Sequence, residues 1–174
     1  TMLRYLPLML LLLSACGDGK KEAAQQLAGA DSTAVAEHMV DLARYDVPLE
    51  LAMGDLATLG VDSVGVKWNE EFGWLEVQAG EHFGITITEE PADLARVKAD
   101  LDRSTLQTHE VLRDSTDRLV YRSQFPDEAI VFHHFYRVVE VGGRSFVVQD
   151  GPNGKYNEAD VKRMVDAVRV RTAS

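Results

Sequence analysis

The chain has 174 residues, of which 45% are apolar and 26% charged, the proportions of an ordinary globular domain with enough chain to bury a real core. Its 18 basic and 28 acidic residues leave a net charge of −10, and no basic stripe interrupts that balance. Nucleic acid and anionic lipid surfaces are therefore poor partners, and a disulfide within the chain is excluded because Cys16 is its one cysteine.

The N-terminal region comes first. Arg4 is followed by an almost wholly apolar run, Tyr5 to Leu13, interrupted by Pro7, and then by the small residues Ser14 and Ala15. That three-part layout is the pattern of a secretory signal. The run is about nine residues, against roughly 20 for a membrane-spanning helix. Leu13-Ser14-Ala15-Cys16 resembles the bacterial lipobox. The resemblance implies cleavage before Cys16 and acylation of Cys16, whose two or three chains would hold the protein stably on a membrane where one would not. It also implies a bacterial envelope location. Gly17, rather than Asp, after the cysteine favours the outer membrane in a diderm cell. Residues 1–15 are thus predicted to be a signal peptide, 16–30 a flexible tether and 31–174 a single α+β domain. As a coil, Gly17 to Ala30 would span roughly 20 Å.

A first helix is predicted over Ser32–Arg44, where Val35, Met39 and Leu42 fall at i, i+4, i+7. Pro48–Met53 reads as extended, and Gly54, Asp55, Gly60 and Asp62 mark a loop. Three strands follow in a meander: Val64–Trp68, Trp74–Ala79 and Phe83–Glu89. Leu75 and Val77, and then Ile85 and Ile87, alternate with polar residues, as in an antiparallel sheet with one polar face. Glu90-Pro91 is expected to open a helix with Pro91 at its first position. Leu94, Val97 and Leu101 form its apolar stripe. Four more strands are predicted: His109–Arg113, Arg118–Phe125, Ile130–Val141 and Arg144–Asp150. Gly142-Gly143 suits a type I′ hairpin. Asn157 reads as an N-cap with Asp160 at N3, ahead of a last helix with Val161, Met164, Val165 and Val168 inward.

The expected architecture is an antiparallel sheet of about six to eight strands flanked by two or three helices. ITITEEPADLARV, DRLVYRSQF, FHHFYRVVEVGGRSFVV and the closing helix resemble the PsbP-like fold over about residues 48–170. That resemblance implies an α/β/α arrangement and a binding role. It carries over no catalytic residue set.

Candidate chemistry is sparse. His133 and His134 are adjacent in a strand, so their side chains point to opposite faces and do not easily share a metal. Phe132, His134 and Tyr136 share one face, and Val131, His133 and Phe135 the other. GPNGKY (Gly151–Tyr156) looks like a phosphate loop but lacks its spacing: position 149 is Gln, and Tyr156 stands where Ser or Thr is needed. It reads as a connecting loop. The acid pairs Glu70-Glu71, Glu89-Glu90 and Asp127-Glu128 read as solvated surface. No nucleophile elbow is present. The hairpin KWNEEFGWLE carries Trp68, Phe72 and Trp74 within seven residues. One tryptophan is expected to pack on the sheet, and Phe72 is expected to be exposed, forming with the other tryptophan a partner-binding point. The leading expectation is a non-catalytic binding or assembly module. It would be tethered to the membrane through lipid on Cys16, would take an envelope protein or small ligand as its partner, and would need no cofactor. The alternatives are an envelope hydrolase whose site is assembled from scattered residues, and a metal-handling lipoprotein using His133 or His134.

Overall fold

A computed structural model describes residues 37–172, an α+β domain of ten strands and two α-helices. Cys16 and the expected signal peptide and tether lie outside the described residues. The strands are β1 (Met39–Asp41), β2 (Leu49–Ala52), β3 (Gly65–Asn69), β4 (Trp74–Gln78), β5 (Gly84–Glu89), β6 (Thr108–Asp114), β7 (Arg118–Gln124), β8 (Val131–Val141), β9 (Arg144–Asp150) and β10 (Val168–Val170). Helix α1 spans Leu94–Arg103 and α2 spans Glu158–Ala167. Short 3-10 turns cover Ala43–Tyr45 and Leu56–Leu59.

The strands form two antiparallel sheets rather than the one expected. The larger has the order β3-β4-β5-β9-β8-β7-β6, and the smaller is β1-β2-β10. On one face of the large sheet, Leu75, Val77, Ile85, Ile87, Phe135, Phe146 and Val148 pack with Leu49 and Leu51 of the small sheet and with Val161, Met164 and Val165 of α2. On the other face, Leu119, Tyr136 and Val147 pack against Leu94, Val97 and Leu101 of α1. Alternation along β8 divides its side chains between these two cores, as period two requires.

Three expectations fail locally. The described part of the predicted first helix is strand β1 and a 3-10 turn. Val40 packs on the core and Leu42 is fully buried, whereas Met39 is exposed. Period two therefore describes the segment, and pairing with Glu50–Ala52 of β2 outweighs a marginal helical spacing. Asp46, at φ +60°, makes the reversal between the two strands. Pro91 does not occupy the first turn of α1. Glu90 still donates to Ser145 O, extending the β5 ladder, and the cap is Asp93, which accepts from Arg96 N at 2.8 Å. Val168 leaves α2 to begin β10. Arg137 of β8 stops the helix there by donating to Val165 O and Val168 O at 2.6 and 2.9 Å, two carbonyls a helix end would otherwise leave without partners.

Other local readings hold. Gly142 and Gly143 have φ of +59° and +77°, as the β8–β9 turn demands. Asn157 and Asp160 form a reciprocal capping box, with Asn157 Oδ1 accepting from Asp160 N at 3.0 Å and Asp160 Oδ2 from Asn157 N at 3.2 Å. Asn157→Ala is expected to cost about 1 kcal/mol, read as a lower urea midpoint at unchanged slope.

Candidate functional site

The aromatic tip sits on the β3–β4 hairpin, at an edge of the large sheet. Asn69 shapes it: its Oδ1 accepts from Glu71 N and Phe72 N at 3.1 and 3.2 Å, and its backbone oxygen from Gly73 N at 2.9 Å. Gly73, at φ +68°, closes the turn. Phe72 is 57% exposed and stacks on Trp74, with ring centroids 4.7 Å apart and planes 13° from parallel. Trp74 is half-buried, and its Nε1 donates to Glu76 Oε1 at 2.9 Å. Phe72 and Trp74 are therefore brought together. Trp68 pairs across from Leu75 while Trp74 pairs across from Asn69, so Trp68 lies on the opposite face, 48% exposed. It joins the tip only from behind.

His133 and His134 point to opposite faces, as expected from a strand. Among the described residues no three His, Cys, Asp or Glu side chains converge as metal ligands do. His134 belongs instead to an arrangement no motif announced. Its Nε2 lies 2.8 Å from Ser123 Oγ, and its Nδ1 lies 2.8 Å from Asp150 Oδ2. Asp150 Oδ1 also accepts from Phe135 N at 2.8 Å, which fixes the carboxylate. Nδ1 thus faces a carboxylate that can accept its proton, and Nε2 faces a hydroxyl that can either donate or accept. Tyr121 stacks on His134 at 5.0 Å, and His109 meets Tyr121 edge-on at 6.1 Å. Burial, followed by the nearby charge of Asp150, pushes the Tyr121 hydroxyl up to about 12. Burial, followed by proximity to His134, lowers His109.

These connections are those of a Ser-His-Asp relay, but two features needed for acyl transfer are missing. Ser123 is 1% exposed, so a substrate carbonyl has no path to its Oγ. Strand β7 is paired on both sides, with Ser123 opposite both His109 and Phe132. Its backbone N–H groups are thus engaged in the ladders, and no free pair aims at an oxyanion. The arrangement satisfies the polar atoms of a half-buried histidine on a sheet face.

The Gly151–Tyr156 loop is built around the Tyr156 ring, which is 2% exposed. A Cβ on Gly154 would come within 1.9 Å of that ring, and one on Gly84 within 2.2 Å of its hydroxyl. The glycines thus make room for a side chain of the chain itself, which accounts for the likeness to a phosphate loop. The Tyr156 hydroxyl, bonded to the Gln78 side chain, is also pushed up to about 12 by burial and then by Asp150.

No family model, curated protein or solved structure matches the chain. The reading of function therefore rests on these residues alone. Among the described residues no helix is long and apolar enough to cross a membrane.

Proposed function

We propose that the chain is a bacterial envelope lipoprotein, anchored through acyl chains on Cys16, whose α+β domain is a non-catalytic binding module. It docks an envelope protein through the Phe72–Trp74 tip. The observation that carries the docking site is the stacked pair itself. A phenylalanine 57% exposed on a turn ordered by three hydrogen bonds to Asn69 is an apolar anchor held in place before any partner arrives. The helices on both faces of an antiparallel sheet support placing the domain with the PsbP-like fold. The lipobox Leu13-Ser14-Ala15-Cys16 supports the anchor. Gly17 after the cysteine supports the outer membrane over the inner one in a diderm cell.

The anchor is tested by metabolic labelling with an alkyne fatty acid. Cys16→Ser is expected to abolish labelling and to leave the precursor uncleaved, and normal processing of that variant would remove the lipoprotein reading. The docking site is tested by co-purification in mild detergent, where Phe72→Ala is expected to lose the bound partner while keeping the wild-type melting curve.

One observation favours a second reading, a hydrolase: the Ser123–His134–Asp150 connectivity. A fluorophosphonate probe separates the two. On the first reading the folded protein stays unlabelled. Labelling that disappears in Ser123→Ala would establish the hydrolase in its place.

A further inference from the structure

The chain has three asparagines, and the fold treats them differently. Asn69 is held through both side-chain polar atoms: its Oδ1 accepts from Glu71 N and Phe72 N, and its Nδ2 donates to Glu76 Oε1 at 2.7 Å. Asn157 caps α2, its Oδ1 accepting from Asp160 N at 3.0 Å. Each of these two is followed by a glutamate. Asn153 lies exposed in the β9–α2 loop, takes no side-chain hydrogen bond among the described residues, and is followed by Gly154. Its carboxamide alone is both untied and unshielded by a neighbouring side chain.

Packing imposes that glycine. Gly154 is not among the glycines with positive φ, so its backbone would accept a side chain. The Tyr156 ring would not: a Cβ on Gly154 would overlap two ring carbons and the hydroxyl. The buried tyrosine thus fixes a glycine directly after an exposed asparagine. The Gly154 N–H is held by one hydrogen bond, to Gly151 O at 3.3 Å, which is long for such a pair. Asp150-Gly151, earlier in the same loop, also sets a short acidic side chain before glycine, but there the carboxylate is clamped. Its Oδ1 accepts from Phe135 N, and its Oδ2 lies beside His134 Nδ1, both at 2.8 Å.

We propose that Asn153 is a site of spontaneous deamidation, an intramolecular reaction that consumes water and releases ammonia, and that its isoaspartyl product loosens the β9–α2 loop. The Gly154 backbone nitrogen loses its proton to solvent and attacks Asn153 Cγ. The new N–Cγ bond closes a cyclic imide, the Cγ–Nδ2 bond breaks, and Nδ2 leaves as ammonia with a proton from solvent. Water then opens the imide, and nothing is oxidised or reduced. Cleavage of the N–Cγ bond yields aspartate. Cleavage between Gly154 N and the main-chain carbonyl of residue 153 yields isoaspartate, whose main chain runs one carbon longer. The loop has no slack for that carbon. Gly151 N donates to Gly84 O at 2.8 Å at one end, His133 N donates to Tyr156 O at 3.1 Å at the other, and Gly154 lies against the ring between them. The isoaspartyl form must release one of these ties or displace the ring, whereas aspartate in normal linkage keeps the path.

The experiment incubates the full chain in detergent at neutral pH, folded or unfolded in urea, and follows tryptic peptides by mass; cleavage at Lys155 separates Asn153 from Asn157. The Asn153 peptide is expected to gain the mass difference between water and ammonia. In the folded chain its rate is expected within about tenfold of the unfolded rate, the cost of the one hydrogen bond on Gly154 N. The peptides carrying Asn69 and Asn157 are expected to stay unchanged, and Asn153→Gln is expected to stop the gain. Anion exchange isolates the aged protein by its added carboxylate, and fragmentation identifies its isoaspartyl part. That form is expected to unfold at a lower urea midpoint than fresh protein, while Asn153→Asp keeps the wild-type midpoint. The proposal is overturned if folding slows Asn153 by much more than about tenfold, if Asn69 or Asn157 reacts first, if Asn153→Gln gains mass at the wild-type rate, or if the isoaspartyl form unfolds like fresh protein.

Discussion

Tyr156→Ala is expected to lower unfolding stability by about 3–5 kcal/mol, the range for removing a large buried aromatic ring. The ring is 2% exposed and belongs to the main core, and the loop from Gly151 to Gly154 is folded around it. Removal leaves a cavity that the loop can fill only by giving up its present path. Tyr156→Phe keeps the ring and is expected to cost about 1 kcal/mol, the value of one hydrogen bond. The same packing makes a small change at Gly154 expensive. Gly154→Ala adds one methyl that would sit 1.9 Å from the ring, and a cost of about 1–3 kcal/mol is expected from overpacking. Urea unfolding of the three variants checks the set. If Tyr156→Ala unfolds at the wild-type midpoint, the ring is not the post on which the loop rests.

A steep loss of stability between pH 10 and pH 12 is the second large effect. Tyr121 and Tyr156 are both pushed up to about 12 by burial and by Asp150. In the unfolded chain a tyrosine ionises near 10. Between these values the unfolded state has lost protons that the folded state still holds, so rising pH favours unfolding. The stabilising contribution is complete below pH 10 and is lost as pH climbs through 12. A shift of that size corresponds to about 2–3 kcal/mol for each tyrosine. The double variant Tyr121→Phe, Tyr156→Phe is expected to flatten this dependence when urea midpoints are compared at pH 9 and pH 11.5. An equally steep loss in the double variant would show that other groups govern alkaline unfolding.

Much of the strand layout can be read directly from residue alternation. Leu75 and Val77, and Ile85 and Ile87, face the core as their spacing implies, and Gly142-Gly143 and the Asn157 capping box end their elements where those residue types belong. What could not be read depends on contacts far apart in the chain. The segment around Met39 carries both a helical and an alternating pattern, and only the presence of β2 beside it decides for strand. The split into two sheets follows from β10 pairing with β2, about 120 residues earlier. The candidate sites divide in the same way. The exposure of Phe72 was legible because a lone aromatic in a polar turn has nothing local to bury it. The stack on Trp74 depends on the hairpin geometry that Asn69 and Gly73 impose. The link from Ser123 through His134 to Asp150 joins three strands by register alone, and neither spacing nor motif encodes it.

Docking through the Phe72–Trp74 tip is the central claim, and photo-crosslinking in intact cells tests it most directly. A photoreactive residue at Glu71, beside the exposed ring, is expected to give one discrete adduct with an envelope protein. The same probe at Arg96, on the exposed side of α1, is expected to give none. Adding Phe72→Ala to the Glu71 probe is expected to abolish the adduct while the lipid label on Cys16 persists. An adduct that survives Phe72→Ala, or one that forms from Arg96 and not from Glu71, would contradict the account.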